Sequence, residues 1–201
     1  MNLRSLSVVV AIGAFALAAC GSDDAASPAT QPPTPQGPAA TTTSGVSFND
    51  ADVTFAQGMV PHHEQAIEMA DIALDPKVGA SEQVRDLATR IKGGQDPEIA
   101  LMTGWLTAWG HPVEMATDGG HEMSSMDGMM SAEEMDALET ITATDFDKMW
   151  MEMMIRHHEG AIAMAQTVKA AGSSPDVLAL ADQVIAAQQA EMSEMQALLG
   201  A

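Results

Sequence analysis

Met59-Val60-Pro61-His62-His63-Glu64-Gln65-Ala66-Ile67-Glu68-Met69-Ala70 recurs 95 residues later as Met154-Ile155-Arg156-His157-His158-Glu159-Gly160-Ala161-Ile162-Ala163-Met164-Ala165, with eight of the twelve positions identical. A second match follows each copy. Gln95, Glu98 and Met102 return at an offset of 93 as Gln188, Glu191 and Met195, and Leu87 and Ile91 return as Leu180 and Val184. The chain is therefore a duplicated pair of segments, with a two-residue gap in the loop between the members of a pair.

The period inside the repeat is helical. Met59, His62, His63, Ala66, Met69 and Ala70 follow the i, i+3, i+4, i+7 pattern and share one face at about 100° per residue. Asn49 or Asp50 can cap the first helix and Asp75-Pro76 stops it. The second helix starts at Ser81, with Gly93-Gly94 and Asp96-Pro97 expected to kink or break it. The third runs from about Thr144 to Ala171. The fourth follows Ser174-Pro175, where Ser suits the cap and Pro the first turn. Two helical hairpins of this length predict an all-α fold, an up-down four-helix bundle, and no strand pattern remains. Repeat 1 spans about 48–109 and repeat 2 about 144–199. Between them lies a Met/His-rich connection, 110–143, in which Ser131 and Glu134 form a capping box for a short helix.

The N-terminal region reads differently. Arg4 precedes an apolar run, Leu6–Ala19, too short to span a bilayer comfortably, and Leu17-Ala18-Ala19-Cys20 resembles a bacterial lipobox. The expected organisation is a signal peptide at 1–19, a lipidated Cys20 with a Pro/Thr/Ala-rich tether over 20–46, and a bundle domain at 47–199. About 25 flexible residues reach some 25–30 Å. This places the protein outside the cytoplasm, held to the bacterial cell membrane by its lipid. Lipidation consumes the only Cys, so there is neither a disulfide framework nor a Cys-rich zinc site. A net charge of -20 argues against binding nucleic acid or an anionic surface through charge.

Metal chemistry must then rest on His, Met, Asp and Glu. Ala66, Ala70, Ala161 and Ala165 lie mid-face and allow close helix approach, while Ile67 and Ile162 fit ordinary core. The His pairs need another account, because a buried imidazole is costly unless its nitrogens find partners. One account is a set of structural hydrogen bonds from His to Glu98 and Glu191, with Gln95 and Gln188 on the same stripes. The other is metal ligation by Met59, His62, His63 and Met69, and by Met154, His157, His158 and Met164. Gln95, Glu98, Gln188 and Glu191 would then orient the imidazoles.

Imidazole with thioether favours copper, Met preferring Cu(I), whereas zinc prefers carboxylate or thiolate beside His. The His-Glu-x-x-His pattern of zinc proteases fails at Ile67 and Ile162, and Met59 and Met154 stand where a di-iron motif needs Glu. Neutral imidazole is the binding form, so affinity is expected to fall as pH drops through about 6.5. A further set of donors, His111, Met115, His121, Met123, Met126, Met129 and Met130, lies in the connection among Gly, Ser and Asp.

The doubled Met-x-x-His-His-x-x-Ala-x-x-Met-Ala, each followed by Gln-x-x-Glu-x-x-x-Met, resembles the domain-of-unknown-function family 305 over residues of about 48–199. That resemblance implies an exported, ferritin-like helical bundle, and copper binding as in some members. The expectation is copper capture or buffering without catalytic turnover. The alternatives are a helical protein-interaction module whose His residues are structural, and a metalloenzyme using the acidic bundle.

Overall fold

The structure, a computed structural model, describes residues 47–114 and 126–200. Within them the chain forms α1 (Asp50–Leu74), α2 (Glu82–Trp109), α3 (Ala132–Thr140), α4 (Ala143–Ala171) and α5 (Pro175–Leu199), with no strand. The expected all-α bundle is what forms. The expected signal peptide, lipidated Cys20 and tether lie outside the described residues.

Three of the four long helices start where the sequence offers an oxygen to the free N–H groups of the first turn; α4, behind Thr142, starts without a side-chain cap. Asn49 and Asp52 make a capping box on α1; Ser81 caps α2, and Ser174 caps α5 ahead of Pro175. The short α3 begins on the Ser131–Glu134 capping box. Gly110 ends α2 in the left-handed conformation, φ 76°, where a side chain would be strained. The break expected near Gly93 and Pro97 is absent, and α2 runs unbroken through both. Pro97 removes only the N–H directed at the Gly93 carbonyl. Gly93 is exposed and has open space around it, so water can serve that oxygen.

α1 and α2 form one antiparallel hairpin, α4 and α5 the other, and α1 packs on α4. That α1–α4 contact is also antiparallel. The Asn49 amide donates to the Ala171 carbonyl at 2.9 Å at one end, and Trp150 Nε1 donates to the Met69 carbonyl at 2.9 Å at the other. Ala66, Ala70, Ala161 and Ala165 are wholly buried, which is what lets the helices approach. Ile67 and Ile162 are only half-buried, so they flank the core and do not fill it.

The duplication is also carried by two carboxylates 95 positions apart. Asp52, fully buried on α1, accepts from Ser173 N (3.0 Å), Ser174 N (3.1 Å) and Asn49 N (2.9 Å). Asp147 on α4 accepts from Ser81 N at 3.0 Å. Each hairpin's first helix thus holds the turn of the other hairpin, at the point where the second helix begins and its amides point outward.

The apolar interior comes in two parts. One contains Met69, Leu87, Ile91, Phe146, Trp150, Met154 and Met195; the other contains Phe55, Met59, Met102, Leu106, Ala161, Leu180 and Val184. Between them, at mid-length on α1 and α4, come the four histidines.

Candidate metal centre

His62, His63, His157 and His158 are all fully buried. They are adjacent pairs at the middle of two helices that face one another, so the antiparallel packing of α1 on α4 sets pair against pair. The His62 and His157 rings lie 3.8 Å apart between centroids, tilted by 42°. His157 and His158 are 6.5 Å apart.

The hydrogen bonds follow the duplication for one member of each pair. His63 Nε2 is 2.8 Å from Glu98 Oε2, and His158 Nε2 is 2.7 Å from Glu191 Oε2, with both carboxylates reaching toward solvent. The other members differ. His62 Nε2 donates to the Asp127 carbonyl at 3.3 Å, while both nitrogens of His157 are buried without a partner. Nδ1 of His62, His63 and His158 is also unpartnered. Three rings therefore commit Nε2 to an oxygen and leave a buried Nδ1 lone pair unused. Metal-ligating imidazoles are arranged in that way, the second nitrogen held by a carboxylate or carbonyl.

Burial, reinforced by His63, lowers the His62 pKa to about 3; burial, reinforced by His62 and His158, lowers that of His157 well below its ordinary value. Both rings are neutral at neutral pH, the form that ligates. His62 therefore stays neutral below the range in which a free imidazole takes up a proton.

Met59, Met69 and Met154 have no exposed surface and belong to the apolar clusters on either side of the histidine layer. Gln95 and Gln188 are buried beside them, but neither polar atom of the Gln95 amide is bonded, nor is Gln188 Oε1. They do not orient the imidazoles as Glu98 and Glu191 do. Among the described residues, no three His, Asp or Glu donors converge to hold an ion by themselves. The donor set fits a soft ion whose coordination is completed by thioether sulfur better than it fits zinc.

What separates His62 from His157 is the end of the connection. Residues 126–130 cross α1 and α4 and are fastened to both. The Gln65 side chain donates to Met130 O (3.0 Å) and accepts from Met130 N (2.7 Å). On α4, a Cβ added to Gly160 would lie 2.0 Å from the Asp127 carbonyl, so only glycine admits the strap there. Gln65 and Gly160 are the same position in the two repeats, and the strap explains why they diverged.

The strap also disposes of the donors in the connection. Met130 is buried in the core, Met129 is half-buried, and exposed His111 packs edge-on to Phe48 at 6.1 Å. Met115, His121 and Met123 lie outside the described residues. Met126 meets an unexpected neighbour. Its sulfur and that of Met164 lie within 4.0 Å and 3.5 Å of the point where a Cβ on Gly58 would stand. They border an apolar cavity of about 470 Å³ that Phe55, Asp127 and Val168 also line. Met69, the repeat counterpart of Met164, is core instead. Repeat alignment could have exposed Asp52 and Asp147; the cavity wall that Met126 and Met164 share has no such signal, because it breaks the symmetry.

Fused antiparallel hairpins with a buried His-His layer at their interface define the class: a duplicated His/Met four-helix bundle. The chain belongs to the family described as domain of unknown function, DUF305, whose model matches residues 52–199. Among solved structures it is similar to a Streptomyces coelicolor DUF305 protein described as secreted, at 30% identity, TM-score 0.68, over 75% of this chain and 92% of that one. It is likewise similar to a DUF305 fragment from Deinococcus radiodurans (31%, TM-score 0.67, 76% and 97%). A third similar structure is CopM in its Cu(II)-bound form (34%, TM-score 0.62, 74% and 95%), a protein also crystallised with Cu(I) and with Ag. No curated protein matches the chain.

Proposed function

We propose that this protein is an extracytoplasmic, lipid-anchored copper-binding protein that captures or buffers the ion without turnover. The observation that carries the reading is the His62–His157 pair: buried, with tilted rings 3.8 Å apart, held neutral, with His157 using neither nitrogen. His62, His63, His157 and His158 would hold the ion with Met59 and Met154, which stand one turn earlier on the same helices. Copper chemistry there would be the cycling of a soft ion between thioether and imidazole donors. Cu(I)- and Ag-bound CopM supports this choice of metal, and the lipobox at Cys20 supports the location.

The test is competition against a Cu(I) chelator. Wild type should compete, and His62→Asn/His157→Asn should lose about 10- to 100-fold or more in affinity. Zn(II) should bind more weakly than Cu(I). A wild-type protein that competes with no Cu(I) chelator ends the reading. One observation favours a second account: the His63–Glu98 and His158–Glu191 bonds satisfy half of the layer without an ion. If copper is not bound, these bonds make the histidines structural and the protein an interaction module.

A further inference from the structure

The C-terminal half of α2 carries a surface unlike the rest of the molecule. From Ile99 to Val113 there is no Asp, Glu, Lys or Arg, in a chain that is 18% charged with a net charge of -20. Leu101 is 46% exposed, and Trp105 and Trp109 follow it on the same helical stripe at four-residue spacing, both half-buried. Phe48, 36% exposed, stacks on Trp109 at 4.6 Å, and Trp105 lies 6.1 Å from Trp109. The repeat shows that this surface is not what the fold requires. The counterpart of Leu101 is Glu194, which is ion-paired to Arg90 at 2.7 Å.

We infer that the Phe48–Leu101–Trp105–Trp109 surface rests on the headgroup layer of a zwitterionic bilayer. Half-buried Trp beside exposed Phe and Leu on an uncharged face are the side chains that favour that interface, where an apolar ring and a polar edge are both accommodated. The position of the patch supplies the second argument. The segment 20–46 enters the described fold one residue before Phe48, and a Pro/Thr/Ala-rich chain of that length is expected from its composition to reach roughly 28 Å. A chain held at Cys20 keeps this surface within reach of the membrane and raises its effective concentration there. None of the described helices is long and apolar enough to cross a bilayer, so the surface lies on it. The acidity of the chain selects against anionic headgroups. Its setting rests on the lipid-anchored reading; the contact itself does not.

The patch is therefore tested without the lipid. Residues 21–201 retain the compact unit Ser44–Ala201, which contains both apolar clusters. This chain is mixed with phosphatidylcholine vesicles bearing brominated acyl chains, and Trp emission is followed. Wild type should bind and be partly quenched, with Trp150 unaffected because it is buried and bonded to Met69. Trp105→Ala/Trp109→Ala should partition at least about tenfold more weakly. Leu101→Glu, which copies the second hairpin at an exposed site, should weaken binding without touching the fold. Three results overturn the inference: no quenching of wild type, binding confined to anionic vesicles, or concentration-dependent self-association that the Trp variant abolishes. The last assigns the surface to a second copy. Failure of the anchor is read separately, by fractionation of Cys20→Ser.

Discussion

Acidifying the metal-free protein from pH 7.5 to pH 5 should remove about 2 kcal/mol of stability through His62 alone. In the unfolded chain this side chain takes up a proton near pH 6.5; in the fold it does so only near 3. Between those values the unfolded state binds one more proton than the native state, so falling pH favours unfolding. Stability due to the neutral ring is complete above 6.5 and is lost progressively down to about 3, at roughly 1.4 kcal/mol per pH unit per histidine. His157, depressed by burial in the same direction, adds to the loss. Urea denaturation at half-unit pH steps, with a chelator present, measures the slope. His62→Asn, which can still bond to the Asp127 carbonyl, should reduce the slope by one proton over pH 5–6.5. A flat wild-type profile, or a variant with the wild-type slope, would refute the reasoning. Either result would mean that His62 is charged in the fold or reached by water.

The two carboxylate clamps should differ in weight. Asp52→Ala leaves a buried cavity at a carboxylate site and strands the buried amide of Ser174 along with that of exposed Ser173, and should cost about 2–3 kcal/mol, whereas Asp147→Ala, at a half-buried site with one backbone donor, should cost about 1 kcal/mol in urea denaturation. Gly160→Ala should lift the strap from α4, because the new Cβ would overlap the Asp127 carbonyl. The expected loss is about 1–3 kcal/mol, with faster amide exchange confined to residues 126–130. Cys20→Ser should release the protein from the membrane fraction or leave its precursor uncleaved; fractionation identical to wild type, with no acyl mass on Cys20, would remove the anchor.

The bundle was legible because duplication turns a single sequence into two observations of one structure. Ala66 and Ala161 recur because backbones must approach there, and His62 and His157 recur because each is the other's neighbour across the interface. Helix ends followed from local chemistry at Asn49, Ser81 and Ser174, which needs no knowledge of the rest of the chain. What the repeat concealed is what it does not share. Gln65 against Gly160 reads as drift until the strap is seen lying on both, and Met164 reads as a copy of Met69 until Met126 is found beside it. The continuity of α2 is hidden from its sequence for a different reason: Pro97 falls four residues after an exposed glycine, and solvent repairs what sequence rules count as broken.

A twofold axis admits two equivalent coverings, yet one polypeptide joining two halves can supply only one. Once the hairpins were fused, the linker had to pass over a single side, and residues 126–130 took the side of His62. From that moment the two halves were no longer chemically interchangeable, whatever their sequences. His62 became the bonded twin and His157, equally buried, the unpartnered one, so a mutation at either meets a different requirement. A dimer of identical hairpins, in which every substitution appears on both sides at once, has no route to that division of labour.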